Sequence, residues 1–199
     1  VVVTGTPQLT LETGATDAVV NYSSGSGTNT LTFSYTVASG HASSDLNYES
    51  ITALALNGGT INYTGTPATL TLPALAGATS LAGNKDIVID GVADAAPGTP
   101  DMTNATDLGS SNTDNITSDS TPDFTVSCVS GSTVTLYNNV TAIGSGLCVS
   151  STVTITAFPA FANGTYPLIN AKQTDPNGNE SAASGDLSIT IDTMAPAAP

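Results

Sequence analysis

The chain has 199 residues, 39% of them hydrophobic and 9% charged, and its 16 Asp and Glu outweigh two Lys to give a net charge of −14. That length accommodates one or two domains with real apolar cores. Two cations cannot track a phosphate backbone, so nucleic-acid binding is close to excluded; an anionic lipid surface would repel the chain and no apolar run approaches the roughly 18 residues of a spanning helix, so no membrane insertion is expected.

The composition favours pleated structure. There are 33 Thr, 22 Ser, 19 Gly and 11 Pro, against three Glu, two Lys and two Met. Thr and Val suit half-buried strands, while Gly and Pro punctuate turns. In chain order, alternation of apolar and polar residues predicts strands at Thr30–Val37, Ala68–Leu72, Ser132–Tyr137, Thr152–Ala157 and Leu187–Ile191. Turn clusters such as SSGSGTN, LNGG, VSGS, ANGT and DPNGN separate them. This spacing predicts an all-β chain, sandwich or barrel. Lys, which often blunts strand edges, is nearly absent, so edges are left to Asp, Pro and Gly or are covered by a neighbour.

Two segments echo each other. Ile87–Asp90 (IVID) runs through GVADA to Ala96–Pro97, and Ile189–Asp192 (ITID) runs through TM to Ala195–Pro196. Asp90 and Asp192 lie 102 residues apart, a typical sandwich-domain length. The predicted division is a domain at 1–90, a Pro-bearing linker at 91–99, a domain at 100–192 and the start of a further linker at 193–199. The opening VVVTGTPQL has neither a basic start nor an apolar h-region, and the chain is expected to be a slice of a longer tandem protein.

The second domain carries a recognisable text. Residues 100–127 read PDMTNATDLGSSNTDNITSDSTPDFTVS, followed by GSTVTLY at 131–137, TDPNGNES at 174–181 and the closing SITIDTMAPAAP. This resembles the bacterial Ig-like repeats of giant secreted adhesins and biofilm-matrix proteins. The first domain, with LTLETG, GSGTNTLTFSYTV, LALNGGTI and NKDIVID, is similar to a repeat found beside them. The resemblance implies two tandem Ig-like antiparallel β-sandwich domains in an extracellular stalk. It also implies Ca²⁺ at or near the junctions between modules.

Thirteen of the 16 acidic residues are Asp. Ca²⁺ takes six to eight oxygens from carboxylates, carbonyls and amides, which Asp- and Asn-rich loops supply. One candidate set is Asp107, Asp114 and Asn115, with Asp192 near the outgoing linker. A second is Asp175, Asn177 and Asn179, expected to face Asp90 and the incoming linker. Glu12, Asp17 and Asp45 are weaker candidates in the first domain. The same residues also make metal-free turns, because Asp and Asn hydrogen-bond their own backbone and Gly accepts positive φ. Pro176 replaces the family's usual small residue in the second loop.

At the positions of Cys128 and Cys148 the family usually has small residues facing the core. Two inward residues on neighbouring strands of an extracellular chain favour a disulfide. Two buried thiols are the alternative.

No catalytic pattern emerges. His41, the sole histidine, sits in ASGHASSD, and no G-x-S-x-G, H-E-x-x-H or phosphate-cradling loop occurs. With no Trp, six Tyr and four Phe, no aromatic platform for a sugar is expected. The expectation is a non-catalytic structural module without a small-molecule substrate, its partners being neighbouring repeats or copies of itself. A self-assembling subunit of an extracellular filament, sheath or S-layer, joined by strand addition, is the alternative.

Overall fold

The computed structural model describes residues 1–195, so the last four positions of the expected trailing linker, 196–199, lie outside the described residues. The chain divides into two units, Val1–Val92 and a second beginning at Ala93. Apart from one helical turn, regular structure among the described residues is β throughout.

The first unit contains β1 (Val2–Thr4), β2 (Gln8–Glu12), β3 (Ala18–Ser24), β4 (Thr32–Phe33), β5 (Ala42–Ser43), β6 (Asn47–Tyr48), β7 (Leu54–Ala55), β8 (Thr60–Tyr63), β9 (Thr66–Pro67), the turn α1 (Leu81–Asn84) and β10 (Ile89–Asp90). One sheet runs β4-β3-β2-β6, a second β1-β8-β9, and β10 pairs β5. β2 and β3 set Leu9 opposite Val20 and Leu11 opposite Ala18, and Leu11, Ala18, Val20, Leu46 and Ile89 form the core. Ser80 caps α1 by accepting from Gly83 N.

Two expected strands of this unit are shorter or absent. Of Thr30–Val37 only Thr32–Phe33 pairs, opposite Ser24 and Tyr22. Yet Leu31, Phe33 and Tyr35 are half-buried while Thr32, Ser34 and Thr36 are exposed. Ala68–Leu72 forms no strand, although Ala68 N donates to Ile61 O and Leu72 N to Ile51 O. Alternation fixes which side chains face inward. A strand also needs a partner ladder, which side-chain period does not specify.

The second unit is a two-sheet sandwich. Its strands are β11 (Asp101–Met102), β12 (Ile116–Thr117), β13 (Asp123–Ser127), β14 (Thr133–Asn138), β15 (Thr141–Leu147), β16 (Thr152–Thr156), β17 (Gly164–Thr174) and β18 (Leu187–Ile191). One sheet is β11-β13-β16 and the other β12-β18-β17-β14-β15. Inward residues of the first, Phe124, Val126 and Ile155, meet Val134, Leu136, Ile143, Ile169, Ala171, Ile189 and Ile191 of the second. Three expected strands appear here almost as read: Thr133–Asn138, Thr152–Thr156 and Leu187–Ile191. They succeed because both sheets bury one face only, so the period-2 pattern and the core coincide.

Two glycines let the sheets meet at one side. A Cβ on Gly144 would lie 2.7 Å from Ile155 Cγ2, and one on Gly146 would lie 2.8 Å from Val153 Cγ2. β15 therefore packs directly against the side chains of β16.

Residues expected to be linker are bonded into this unit. Gln173 Nε2 donates to Ala95 O at 2.7 Å, Ser132 Oγ donates to Asp94 Oδ2 at 2.5 Å, and Gly98 N donates to Ser127 O at 2.9 Å. These contacts mark the end of the sandwich at which the chain enters.

Candidate metal centre and disulfide

The loop from Thr103 to Asn115 owes its shape to Asp107. This side chain is 2% exposed. Its Oδ2 accepts the Asn115 main-chain N–H at 3.1 Å. Its Oδ1 is buried and has no hydrogen-bond partner. Thr117, 1% exposed, ties the loop back: its Oγ1 donates to Thr106 O at 2.5 Å and accepts from Leu108 N at 3.1 Å. Asn115 then turns with φ of +60°, a left-handed geometry that Asn tolerates.

Asp114 and Asp192 line one cavity of about 330 Å³ together with Leu108, Ser110 and Thr117. Asp114 Oδ1 accepts from Ile116 N at 3.2 Å, and Asp192 Oδ1 accepts from Met194 N at 3.1 Å. Asp192 follows β18 directly, so the cavity sits where the chain leaves the sandwich. The structure thus gathers Asp107, Asp114, Asn115 and Asp192 at one end of the second unit.

Among the described residues no group of three His, Cys, Asp or Glu side chains closes around a single point. A cation here would draw on hydroxyls and main-chain carbonyls besides carboxylates, a mixture Ca²⁺ accepts. The buried, partnerless Oδ1 of Asp107 is the feature that fits a cation, since a buried carboxylate oxygen without a donor is costly.

The Asp175 loop is different. Asp175 Oδ1 accepts from Asn177 N and Asn179 N, each at 2.9 Å, and Oδ2 accepts from Asn179 Nδ2 at 2.8 Å. Asn179 also donates the bonds that hold this carboxyl below its ordinary pKa, with the side-chain amide contributing most. The loop is an Asx-turn completed by its own donors, closed by Asp175 N donating to Asn179 O at 3.1 Å. Asp175, Asn177 and Asn179 are therefore together, and both carboxylate oxygens of Asp175 accept N–H groups of their own loop. Asp90 lies in the first unit, at the end of β10, where its Oδ1 accepts from Val92 N at 3.2 Å. Among the weaker candidates, Glu12 accepts from Gly14 N, Asp17 from Thr13 N and Asp45 from Ile87 N.

Cys128 and Cys148 are joined by a disulfide with Cα atoms 6.2 Å apart. Cys128 follows β13 and Cys148 follows β15, so the bond ties one sheet to the other at the end where the chain enters. Cys148 is fully buried, and its main chain donates to Ser132 O at 2.9 Å.

One structural residue escapes the sequence reading. Gln173, 1% exposed, donates to Ala95 O and accepts from Val129 N at 3.0 Å. It fastens the incoming segment and the loop beside Cys128. The signal was present: Ile169, Ala171 and Gln173 share the inward face of β17, and a polar residue at a core position implies fixed partners.

The bacterial Ig-like domain family matches residues 94–193, and the chain belongs to it. Among solved structures, the chain is similar to one titled Biofilm associated protein - BSP domain, at 13% identity and a TM-score of 0.33. That similarity covers 96% of this chain and 26% of the other, so the chain spans about a quarter of that protein's length. No curated protein matches the chain.

Proposed function

We propose that the chain is a non-catalytic structural module of an extracellular bacterial adhesin or surface protein, which extends and stiffens a stalk. Its partners are neighbouring repeats or copies of itself. Ca²⁺ binds at the outgoing end of the second unit, held by Asp107, Asp114 and Asp192 with nearby hydroxyl and carbonyl oxygens. Bound there, the ion neutralises crowded carboxylates beside the departing chain.

Membership in the bacterial Ig-like family supports the structural role. The observation that carries the metal is Asp107 Oδ1, buried and without a donor. The surface is acidic, with a net charge of −14, and suits cation binding over anion binding. No helix of the described residues is long and apolar enough to cross a membrane.

The test is thermal melting in about 10 mM CaCl2 and in EDTA. Extracellular modules bind with Kd of about 10⁻⁴–10⁻³ M, so calcium should stabilise by roughly 1.4–2.7 kcal/mol. An Asp107→Ala, Asp114→Ala pair should melt identically in both solutions. A wild-type melting curve indifferent to calcium would remove the metal from the proposal.

A further inference from the structure

We infer that the Asn57–Gly58 step is a site of spontaneous covalent modification, at which the chain deamidates itself and thereby loosens the pairing of β1 with β8. Three Asn–Gly steps occur in the sequence, beginning at Asn57, Asn163 and Asn177. Glycine favours the reaction because it has no side chain to hinder attack of its main-chain nitrogen on the preceding amide. All three asparagines are exposed, so accessibility does not rank them. Hydrogen bonding separates them.

At Asn177 the nucleophile is occupied, since Gly178 N donates to Asp175 O at 3.1 Å. At Asn163 the amide is held. Its Oδ1 accepts from Thr193 N at 3.1 Å and from Thr193 Oγ1 at 2.7 Å, and Gly164 is laddered opposite Ile191. Ring closure at either step must first break such bonds. Asn57 is different. It lies in the tight turn between β7 and β8, closed by Gly59 N donating to Leu56 O at 2.8 Å, with φ of +47° at Asn57 and +76° at Gly58. Gly58 N has no hydrogen-bond partner among the described residues, and a Cβ on Gly58 would meet nothing within 4 Å. The Asn57 side chain makes one bond, from Nδ2 to Thr6 O at 3.2 Å.

The step needs water alone as co-reactant. Gly58 N attacks Asn57 Cγ, forming the N–Cγ bond of a five-membered imide. The Cγ–Nδ2 bond breaks, and ammonia leaves with the proton that Gly58 N gave up. Water then opens the ring. Addition at Cγ leaves an aspartate; addition at the main-chain carbonyl leaves an isoaspartate, with one CH2 added to the backbone.

Both products disturb the same corner of the first unit. An aspartate sets an acceptor against Thr6 O, where the amide donated. An isoaspartate lengthens the backbone where there is little room: a Cβ on Gly5 would already lie 2.8 Å from Gly59 Cα. Gly59 leads directly into β8, where Thr60 pairs with Thr4 of β1 and their Oγ1 atoms lie 2.8 Å apart. The reaction requires neither calcium nor a neighbouring module.

The test ages the purified full chain at mildly alkaline pH, which speeds loss of the Gly58 N proton. Mass spectrometry of the digest follows the three Asn–Gly peptides, and enzymatic methylation marks isoaspartate. The expected result is conversion at Asn57 several-fold faster than at Asn163 or Asn177, with the three rates drawing together in urea, where the fold no longer protects any of them. Conversion at Asn57 no faster than at either other step in the folded chain would overturn the site. Ion exchange then separates the aged form by its added negative charge. Its amides in Val2–Thr4 and at residues 60–62 should exchange faster than those of the fresh chain. Unchanged protection there would overturn the loosening of β1.

Discussion

Asp107 and Asn115 are joined by one carboxylate oxygen, Oδ2, at 3.1 Å from the Asn115 N–H, while the other oxygen of the same buried group meets no donor. One oxygen of the side chain shapes the loop and the other is buried without a donor, and the calcium proposal turns on that second oxygen. The two roles separate by substitution. Asp107→Asn keeps an oxygen for Asn115 N and should fold, yet lose the calcium-dependent rise in Tm. Asp107→Ala should also destabilise in EDTA, by about 1–3 kcal/mol, through the orphaned Asn115 N–H. Differential scanning calorimetry with calcium and with EDTA reads both; an Asn variant that still responds to calcium would move the ion elsewhere.

Reduction of Cys128–Cys148 should weaken the second unit alone. A closed loop of 20 residues is worth about 3 kcal/mol in the chain-entropy model. For a domain near 100 residues that is a fall in Tm of more than about 10 °C. The check is a melt of the Cys128→Ser, Cys148→Ser double variant beside the wild type, with the first unit's transition as the internal reference.

Gln173→Ala should be costly for a polar-to-apolar change at an interior site. It leaves Val129 N and Ala95 O without the partners they have now. Two orphaned groups imply a loss of about 2–4 kcal/mol. Amide hydrogen exchange should show the added opening at 93–98 and 128–131; protection unchanged there would mean that Gln173 is not the fastening.

Asp175 makes a prediction in pH. Its carboxyl is held below the ordinary value, chiefly by the Asn179 side chain. A depressed pKa means the folded state binds the proton more weakly than the unfolded one. Its contribution is therefore complete above the unfolded carboxylate value near 3.9 and is lost as pH falls through the lower folded value. Because the group is exposed, the effect is small. Asp175→Asn should flatten that acid limb of the stability curve in urea titrations between about pH 5 and 2, with little change at pH 7.

The amino-acid sequence by itself determined the class of this protein and much of the second unit. Alternation at 132–137, 152–157 and 187–191 placed strands correctly, because each buries one face and period 2 is then the whole signal. The Cys pair was legible through the inward positions it shares with family members. Tertiary structure alone decided the rest. It left most of Thr30–Val37 and all of Ala68–Leu72 outside any ladder, since pairing depends on which backbone lies alongside. It separated two loops of the same Asp–Asn composition: donors from its own turn fill the carboxylate of Asp175, while burial leaves Asp107 half-satisfied. It also set β12 parallel to β18. Composition reports which residues are present; only their distances and directions decide whether a carboxylate is filled by the N–H groups of its own loop or keeps one buried oxygen without a donor.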